Sequence, residues 1–359
     1  MKPTQALHDL GQSLWLDNIT REILDNGTLR RYAADLSVTG LTSNPTIFDE
    51  AIGGSAYDRG IQEKSKGGLR GEALFLELAL EDLRRAADIF RPVHDRTGGA
   101  DGWVSMEVSP LLANDTAATI EAALDIHKLA ARPNLYVKIP GTPQGVPAIE
   151  AAVFAGVPVN VTLLFSREQY LAVAEAYLRA VERRLQAGLD PRVGSVASLF
   201  VSRWDRAAGD GVPTELRNRL GIAIAMRCYR AHCELLESKR WRDLAAAGAP
   251  VQRMLWASTG VKDPKAPADM YVSALAAPDT IDTMPEKTLL AFAEGGRVNS
   301  IIPRDGGDCE TVLANFGRAG VDAGALAQKL QVEGAQSFVK SWAELMQRIA
   351  AKSAALAAS

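Results

Sequence analysis

Short apolar segments alternate with longer amphipathic segments along most of this chain. The short segments are bounded by Gly, Pro or polar residues, as strands are. The longer segments carry hydrophobic residues every three or four positions, as amphipathic helices do. The pattern predicts eight strands, near residues 13–17, 37–43, 103–108, 135–139, 158–165, 193–201, 253–258 and 280–285.

Three of the intervening segments are strong helix predictions. One begins after Ser166, a favourable N-cap that is followed by Glu168 and Gln169 in the first turn. The others cover residues 116–130 and 214–238. Strands that alternate with helices pair in parallel. Eight such units predict an α/β fold, a closed (β/α)8 barrel of the TIM type.

Two segments depart from this alternation. Residues 58–72 are polar and glycine-rich, and we interpret them as an excursion after the second strand. Beyond Gly296 the pattern predicts two or three additional C-terminal helices. We predict a single domain over residues 1–359, with the barrel over 13–295. Residues 296–359 would form a helical extension packed on the barrel, near one of its mouths.

Composition limits the partners and the location that we expect. The chain is 47% hydrophobic and 23% charged, with a net charge of -3 and no long run of one sign. This balance argues against nucleic acid or an anionic membrane as the main partner. No apolar run has the length of a membrane span, and we see no secretory signal. We expect a cytoplasmic protein whose three cysteines are reduced.

Polar side chains occur at the carboxyl ends of five predicted strands. Alternate residues of a barrel strand point into the barrel, and the others face the helices. In the fourth strand this places Lys138 inside, opposite an apolar face of Leu135, Val137 and Ile139. A single lysine there would usually be salt-bridged or would extend to solvent. The full set expected to share this position is Asp17, Asn44, Glu107, Lys138, Asn160 and Thr162.

This concentration of polar groups predicts an active site at the carboxyl end of the barrel, where barrel enzymes carry their chemistry. The residue types suit imine formation. A partly desolvated pocket favours the neutral amine of a lysine, which can attack a sugar carbonyl and form a Schiff base. The protonated imine withdraws electrons and permits cleavage of a neighbouring carbon–carbon bond. Carboxylates and amides would then serve as acid, base and hydroxyl-binding groups.

Metal and nucleotide chemistry have no matching pattern. The four histidines do not stand at the spacing of metal ligands, and no glycine-rich phosphate loop is present. We therefore expect neither a metal nor a cofactor.

Several motifs, in a fixed order, resemble those of the transaldolase family. They are LTSNPTIF, YVKIPGTPQG, VNVTLLFS and ASLFVSRWD. The similarity runs from Leu14 to about Ala291 and is greatest with the longer bacterial form, which carries LWASTGVKDP and DTIDTMPEKTL. Members are Schiff-base transferases of the pentose phosphate pathway. They move a dihydroxyacetone unit from sedoheptulose 7-phosphate or fructose 6-phosphate to glyceraldehyde 3-phosphate or erythrose 4-phosphate.

The resemblance implies roles for individual catalytic residues. Lys138 would form the imine with the ketose donor. Glu107 would move protons during imine formation, through a water that Thr162 also holds. Asp17 would exchange the proton of the donor's C4 hydroxyl as the carbon bond breaks and re-forms. No cofactor is implied, because the iminium itself is the electron sink.

The resemblance also implies binding residues. Asn44 and Asn160 would hold hydroxyls of the dihydroxyacetone unit, and Ser198 and Arg203 would bind the sugar phosphate. Shorter transaldolases place an arginine soon after the alanine-serine pair that ends the seventh strand, whereas this chain has Lys262 slightly later. Lysine binds phosphate as a point charge, without a bidentate fork. Lys262 is thus either a second phosphate ligand or a solvated loop cation.

Neighbouring residues are expected to have structural roles. We expect the aromatic residues of the motifs to fill core rather than to contact substrate, and Ser258 to cap a helix rather than to reach the phosphate. The aromatic residues in question are Trp15, Phe165, Phe200 and Trp256.

Three other functions remain open. A fructose 6-phosphate aldolase would use the same lysine but release free dihydroxyacetone to water. A phosphosugar isomerase would need a carboxylate base but no imine. A barrel without catalysis could bind a partner through its C-terminal helices. The sequence is also compatible with a homo-oligomer.

Overall fold

The computed structural model describes residues 2–298 and 300–358. Within these residues, eight parallel strands pair in sequence order and close into a barrel. They are β1 Ser13–Asp17, β2 Val38–Thr42, β3 Val104–Glu107, β4 Leu135–Pro140, β5 Val159–Leu164, β6 Ser195–Phe200, β7 Arg253–Ala257 and β8 Ile281–Met284. All eight predicted strands are confirmed, with ends that shift by at most two residues. The (β/α)8 barrel is confirmed with them.

Helices surround the barrel and cover one of its ends. In the described part of the chain they are α1 Pro3–Leu10, α2 Arg21–Asp25, α3 Thr28–Asp35, α4 Pro45–Gly53, α5 Asp58–Lys66, α6 Gly71–Arg96, α7 Thr116–Ala130, α8 Gly145–Phe154, α9 Arg167–Gln186, α10 Ser202–Ala208, α11 Leu220–Glu237, α12 Lys239–Ala246, α13 Met270–Ala274, α14 Glu286–Gly295, α15 Cys309–Arg318 and α16 Ala323–Ala358. The helix predicted over 116–130 is confirmed as α7. The helix predicted after Ser166 is α9, and the Ser166 hydroxyl accepts a hydrogen bond from Gln169 N at 3.1 Å.

The excursion predicted over residues 58–72 is helical. The segment forms α5 and the start of α6. Its Gly60 lies on the buried side of α5, where a Cβ atom would stand 2.9 Å from Arg21 Nη1. A glycine at this position lets α5 pack closely against the Arg21 side chain. Composition alone cannot distinguish such a glycine from one in a loop.

The helix predicted over 214–238 begins later than expected. Asn218 has a φ of 58° in the left-handed region, which a right-handed helix cannot continue through. The helix therefore starts at Leu220. The Asp205 carboxylate caps it by accepting hydrogen bonds from Leu220 N at 2.8 Å and Gly221 N at 3.2 Å.

Parallel register aligns the polar residues of adjacent strands. Glu107 of β3 is opposite Lys138 of β4, and Lys138 is opposite Asn160 of β5. The register shifts in β5 between Val161 and Leu164. Strand pairing therefore brings three of the predicted site residues to one level near the carboxyl end of the barrel.

The chain after Gly296 forms two helices within the described residues, α15 and α16, in agreement with the two or three predicted. The 36 residues of α16 correspond to about 54 Å of helix, which packs on α4, α5 and α6. Gln331 donates hydrogen bonds to Gly141 O at 2.9 Å and Leu163 O at 3.0 Å. Because both carbonyls follow or end barrel strands, α16 is attached to the barrel at its carboxyl end. The assignment of the whole chain to one domain remains a prediction.

The three cysteines are buried free thiols. Among the described helices, none has both the length and the apolar character that a membrane span requires.

Candidate active site

A cavity of about 390 Å³ lies at the carboxyl end of the barrel. Seven of the nine predicted site residues line it: Asp17, Asn44, Lys138, Thr162, Ser198, Arg203 and Lys262. The other two, Glu107 and Asn160, lie behind this surface and contact it through hydrogen bonds or an ion pair. The structure thus brings together residues from β1, β3, β4, β5 and β6 and from the segments that follow β2, β6 and β7.

Lys138 is buried but has polar partners. Its Nζ lies 3.1 Å from Glu107 Oε2 and donates a hydrogen bond to Ser43 O at 3.1 Å. The lysine is 6% exposed and the glutamate 5%. A buried ammonium is tolerated when a carboxylate and a hydrogen-bond acceptor compensate for its lost hydration. The distance is within the reach of proton transfer, although neither Glu107 oxygen has a hydrogen-bond partner within the described residues.

Both carboxyl groups of the site have pKa values above their usual range. Burial raises the pKa of Glu107, and the positive charge of Lys138 opposes that effect. Burial likewise raises the pKa of Asp17, against the charge of Lys138 and a hydrogen bond from Thr42; Thr42 Oγ1 donates to Asp17 Oδ1 at 2.8 Å. A carboxyl group that takes up a proton more readily near neutral pH is better suited to serve as both acid and base.

The Asn160 amide is held on both sides. It donates to Ser105 Oγ at 3.0 Å and accepts a hydrogen bond from Ser198 Oγ at 2.7 Å. Ser198 therefore uses its proton to orient Asn160, and its role in phosphate binding stays a prediction. We refer to Glu107, Lys138 and Asn160 as the floor of the cavity.

Two further polar groups have free hydrogen-bonding capacity. The Asn44 side-chain oxygen accepts from Ile47 N at 3.1 Å and caps α4, which leaves the Asn44 amide protons for a ligand. Thr162 Oγ1 is buried, and it has no hydrogen-bond partner within the described part of the chain. Because Thr162 also lines the cavity, its hydroxyl is available to a water or to substrate.

Positive charge marks the entrance. Neither Arg203 nor Lys262 has a carboxylate within ion-pair distance among residues 2–298 and 300–358. Burial lowers the pKa of Arg203, and the nearby charge of Arg206 lowers it further. An adjoining cavity of about 500 Å³ shares Arg203 and Lys262 and adds Arg206 and Lys329. Lys329 is paired with Glu333 at 3.7 Å, whereas the unpaired Arg203 and Lys262 suit a phosphate group.

α16 covers the floor from the opposite side. Ser337 and Phe338, which we call the roof, line the same cavity. Neither residue was predicted to belong to the site, because both lie on a helix that is distant in the chain from every motif.

Phe200 is 6% exposed and belongs to the hydrophobic core, as expected. It also lines the cavity, and Arg203 Cζ lies 4.9 Å from the centroid of its ring. Strand alternation could have found this cavity contact, since Phe200 follows Ser198 by two positions. The helix cap expected of Ser258 is wrong: its φ is 57°, the next helix of the described residues begins only at Met270, and its hydroxyl pairs with Ser202 Oγ at 3.0 Å.

The remaining aromatic residues behave as expected. Trp15, Phe165 and Trp256 are fully buried and belong to the hydrophobic core. In the residues that the structure describes, no group of three His, Cys, Asp or Glu side chains could hold a metal ion.

The family model described as Transaldolase/Fructose-6-phosphate aldolase matches residues 14–349. The chain belongs to this family. The resemblance found in the motifs is thereby confirmed, and the family match extends past Ala291 into α16, so it includes both floor and roof.

Curated members of the family are similar over their whole lengths. The chain is 44% identical to the transaldolase of Thermobifida fusca over 98% of this chain and 99% of that protein. It is 43% identical to the transaldolase of a Parafrankia species, with 97% of each chain covered. It is 38% identical to transaldolase 2 of Nostoc punctiforme, over 94% of this chain and 93% of that protein.

Proposed function

We propose that this chain is a transaldolase that carries a dihydroxyacetone unit as an imine on Lys138. The enzyme is a transferase of the non-oxidative pentose phosphate pathway. Its donor is sedoheptulose 7-phosphate or fructose 6-phosphate, and its acceptor is glyceraldehyde 3-phosphate or erythrose 4-phosphate. The observation that carries the proposal is the 3.1 Å contact between Lys138 Nζ and Glu107 Oε2, in a cavity that also contains Asp17 and unpaired cations.

Imine formation uses the contact between Lys138 and Glu107. The neutral amine adds to the donor carbonyl carbon, a nitrogen–carbon bond forms, and one proton moves from the nitrogen to the oxygen. Glu107 then gives a second proton to this hydroxyl, the carbon–oxygen bond breaks, and water leaves. The free hydroxyl of Thr162 supports its expected role of holding the water in this transfer. The iminium that remains is the electron sink, so the mechanism needs no cofactor.

Carbon–carbon cleavage uses Asp17. Its carboxylate takes the proton of the donor's C4 hydroxyl, the bond between C3 and C4 breaks, and its electron pair moves into an enamine on Lys138. The aldose phosphate leaves with a new carbonyl group. An acceptor aldose reverses these steps, since the enamine carbon attacks the aldehyde and Asp17 returns the proton to its oxygen. Water then hydrolyses the imine.

The same geometry supports a set of proposed binding roles. The amide protons of Asn44 and the fixed amide of Asn160 bind hydroxyls of the dihydroxyacetone unit. Arg203 binds the phosphate, with Lys262 as a second, weaker ligand. Ser198 acts by positioning Asn160. Sugar phosphates are thus the partners of this site. We further propose a cytoplasmic location and no nucleic-acid partner, and we leave the homo-oligomer to measurement.

A borohydride experiment tests the mechanism. Incubation with fructose 6-phosphate and borohydride should fix a dihydroxyacetone-derived adduct on Lys138, as read by peptide mass spectrometry. Lys138→Met should abolish the adduct, whereas Lys340→Met, a change at a lysine with 78% side-chain exposure, should leave it unaltered. An adduct on another lysine, or none, would reject the mechanism. An isomerase would give no adduct.

A second assay separates transfer from release. Fructose 6-phosphate cleavage is measured with and without erythrose 4-phosphate. A transaldolase turns over rapidly only with the acceptor, whereas an aldolase is indifferent to it. The names of the curated relatives favour the transaldolase.

A further inference from the structure

The Phe338 side chain of α16 lies between the two charged groups that the proposed mechanism uses. The centroid of its ring is 5.6 Å from Lys138 Nζ and 5.8 Å from Arg203 Cζ. The residue is 6% exposed and lines the cavity. The face of an aromatic ring attracts cations at such distances. Phe338 therefore borders the space that joins the amine to the guanidinium.

The backbone of α16 comes close to the barrel one turn before this ring. A Cβ atom on Gly334 would lie 2.9 Å from Leu163 Cδ2 and 3.1 Å from Arg203 Nη1. Only glycine allows the helix to approach so closely without displacing these side chains. The absence of a side chain at Gly334 thus lets Phe338 reach the amine.

The helix is also anchored on both sides of Phe338. The Gln331 side chain, two turns earlier, is hydrogen-bonded to two barrel carbonyls. Trp342, one turn later, packs edge-on against Phe75 with ring centroids 5.2 Å apart. Trp342 is only 5% exposed. The contacts of Gln331 and Trp342 therefore hold α16 in a fixed position on the barrel. The ring of Phe338 is therefore held in place before substrate binds.

A bound donor must pass this ring. Its C2 carbon is bonded to Lys138 Nζ, and its phosphate is at Arg203, so the intervening carbons cross the space that Phe338 borders. C3, which becomes the nucleophilic carbon after cleavage, is adjacent to C2. The roof is therefore the part of the protein placed to shield that carbon from solvent.

Shielding matters because the enamine has two fates. With an acceptor, its C3 electron pair forms a bond to the aldehyde carbon, and the aldehyde oxygen takes a proton. Without an acceptor, C3 can take a proton from solvent instead. The resulting iminium adds water, its carbon–nitrogen bond breaks, and dihydroxyacetone leaves with the amine restored. Exclusion of water from a reactive intermediate is a recognised way to suppress such a side reaction.

We propose that Phe338 sets the ratio of transfer to release by keeping solvent away from the enamine carbon. The proposal rests on the proposed function and adds a residue that determines reaction specificity. Water that hydrolyses the product imine is the one assigned to Thr162 and Glu107, so it does not have to pass the ring.

The test measures a partition and not only a rate. Aldose phosphate release from fructose 6-phosphate is recorded without acceptor and divided by the transfer rate with erythrose 4-phosphate. Phe338→Ala should raise this ratio by roughly tenfold or more, as expected for an intermediate opened to water. Phe338→Leu, which keeps an apolar cover, should raise it less. Borohydride trapping on Lys138 verifies that each variant still forms the imine.

Leu345→Ala is the matched control. Leu345 is fully buried and lies about two turns after Phe338 on α16, outside the cavity lining. This change loosens the helix without opening the roof, and it should leave the ratio unaltered. An unchanged ratio in Phe338→Ala, or an equal rise in Leu345→Ala, would overturn the assignment to the ring. Failure of the parent protein to form the Lys138 adduct would instead reject the proposed function.

Discussion

The floor and the roof of the cavity are built by different forces. Floor residues are side chains of adjacent strands, and backbone hydrogen bonds between β3, β4 and β5 fix their spacing. Roof residues are held by contacts of α16 with the barrel, such as the hydrogen bonds of Gln331. The floor therefore cannot shift without breaking the barrel, whereas the roof depends on the docking of one helix. We expect the floor to control chemistry and the roof to control access.

The largest effect should follow a change in the floor. Glu107→Gln keeps the shape and a hydrogen-bond acceptor for Lys138 but removes the acid and base. Turnover should fall by roughly a hundredfold to ten-thousandfold, the usual worth of general acid–base help. Steady-state kinetics with fructose 6-phosphate and erythrose 4-phosphate measure it, and circular dichroism checks the fold. Unaltered turnover would remove Glu107 from its assigned role.

How much of the site could be predicted follows from this same difference. A period of two and parallel pairing together place Asp17, Glu107, Lys138 and Asn160 inside one end of a barrel, so local sequence suffices for the floor. Phe338 follows Lys138 by 200 positions (338 minus 138). Its placement depends on tertiary docking, which no local periodicity encodes.

Errors in the prediction have similar causes. The helices over residues 58–72 were not predicted, because composition does not show that a glycine such as Gly60 faces a neighbouring side chain. Ser258 looked like a helix cap, because its left-handed backbone cannot be read from residue type. The cavity contact of Phe200, which is also a core residue, is different, since alternation with Ser198 was available to predict it.

Asp282 is a buried carboxyl group outside the cavity, and it can be compared with Glu107 in the floor. Asp282 of β8 alternates with Thr283, which lines the cavity. Its only described hydrogen bond is from Thr259 Oγ1 at 2.9 Å, and it has no cation partner among residues 2–298 and 300–358. Burial raises the pKa of Asp282 to about 7. The positive charge of Lys138 offsets the negative charge of Glu107, whereas no described cation offsets that of Asp282.

Stability should therefore depend on pH through Asp282. Its folded pKa lies above its unfolded value, so the folded state binds more protons between about pH 4 and pH 7. Stability is then lost as pH rises through this window. Asp282→Asn should remove that loss and be more stable than the parent at pH 8 by up to about 4 kcal/mol, at about 1.4 kcal/mol per pKa unit. Urea unfolding at pH 5 and pH 8 measures it, and an equal difference at both values would contradict the interpretation.

The entrance should respond more weakly than the floor and only toward phosphate. Arg203→Met should raise KM for fructose 6-phosphate by roughly tenfold to a hundredfold, the worth of hydrogen bonds to a charged group. Lys262→Met should raise it by less than about tenfold, because an exposed lysine acts as a mobile point charge. Unphosphorylated fructose is the control donor. If KM for fructose rises equally, these cations do not bind phosphate.

The smallest effect on turnover should come from the attachment of the roof. Gln331→Leu keeps the volume of the side chain but removes the donor for Gly141 O and Leu163 O. Two buried carbonyls lose a partner, so the free energy of unfolding should fall by about 1–3 kcal/mol. Gln328→Leu, a change at an exposed position of the same helix, is the matched control and should have little effect in urea unfolding.

Because Lys138 and Glu107 are fixed by strand pairing, Gln331→Leu should retain borohydride trapping on Lys138. Loss of trapping at a temperature where the variant is folded would mean that the roof also positions the amine, and the separation between chemistry and access would not hold.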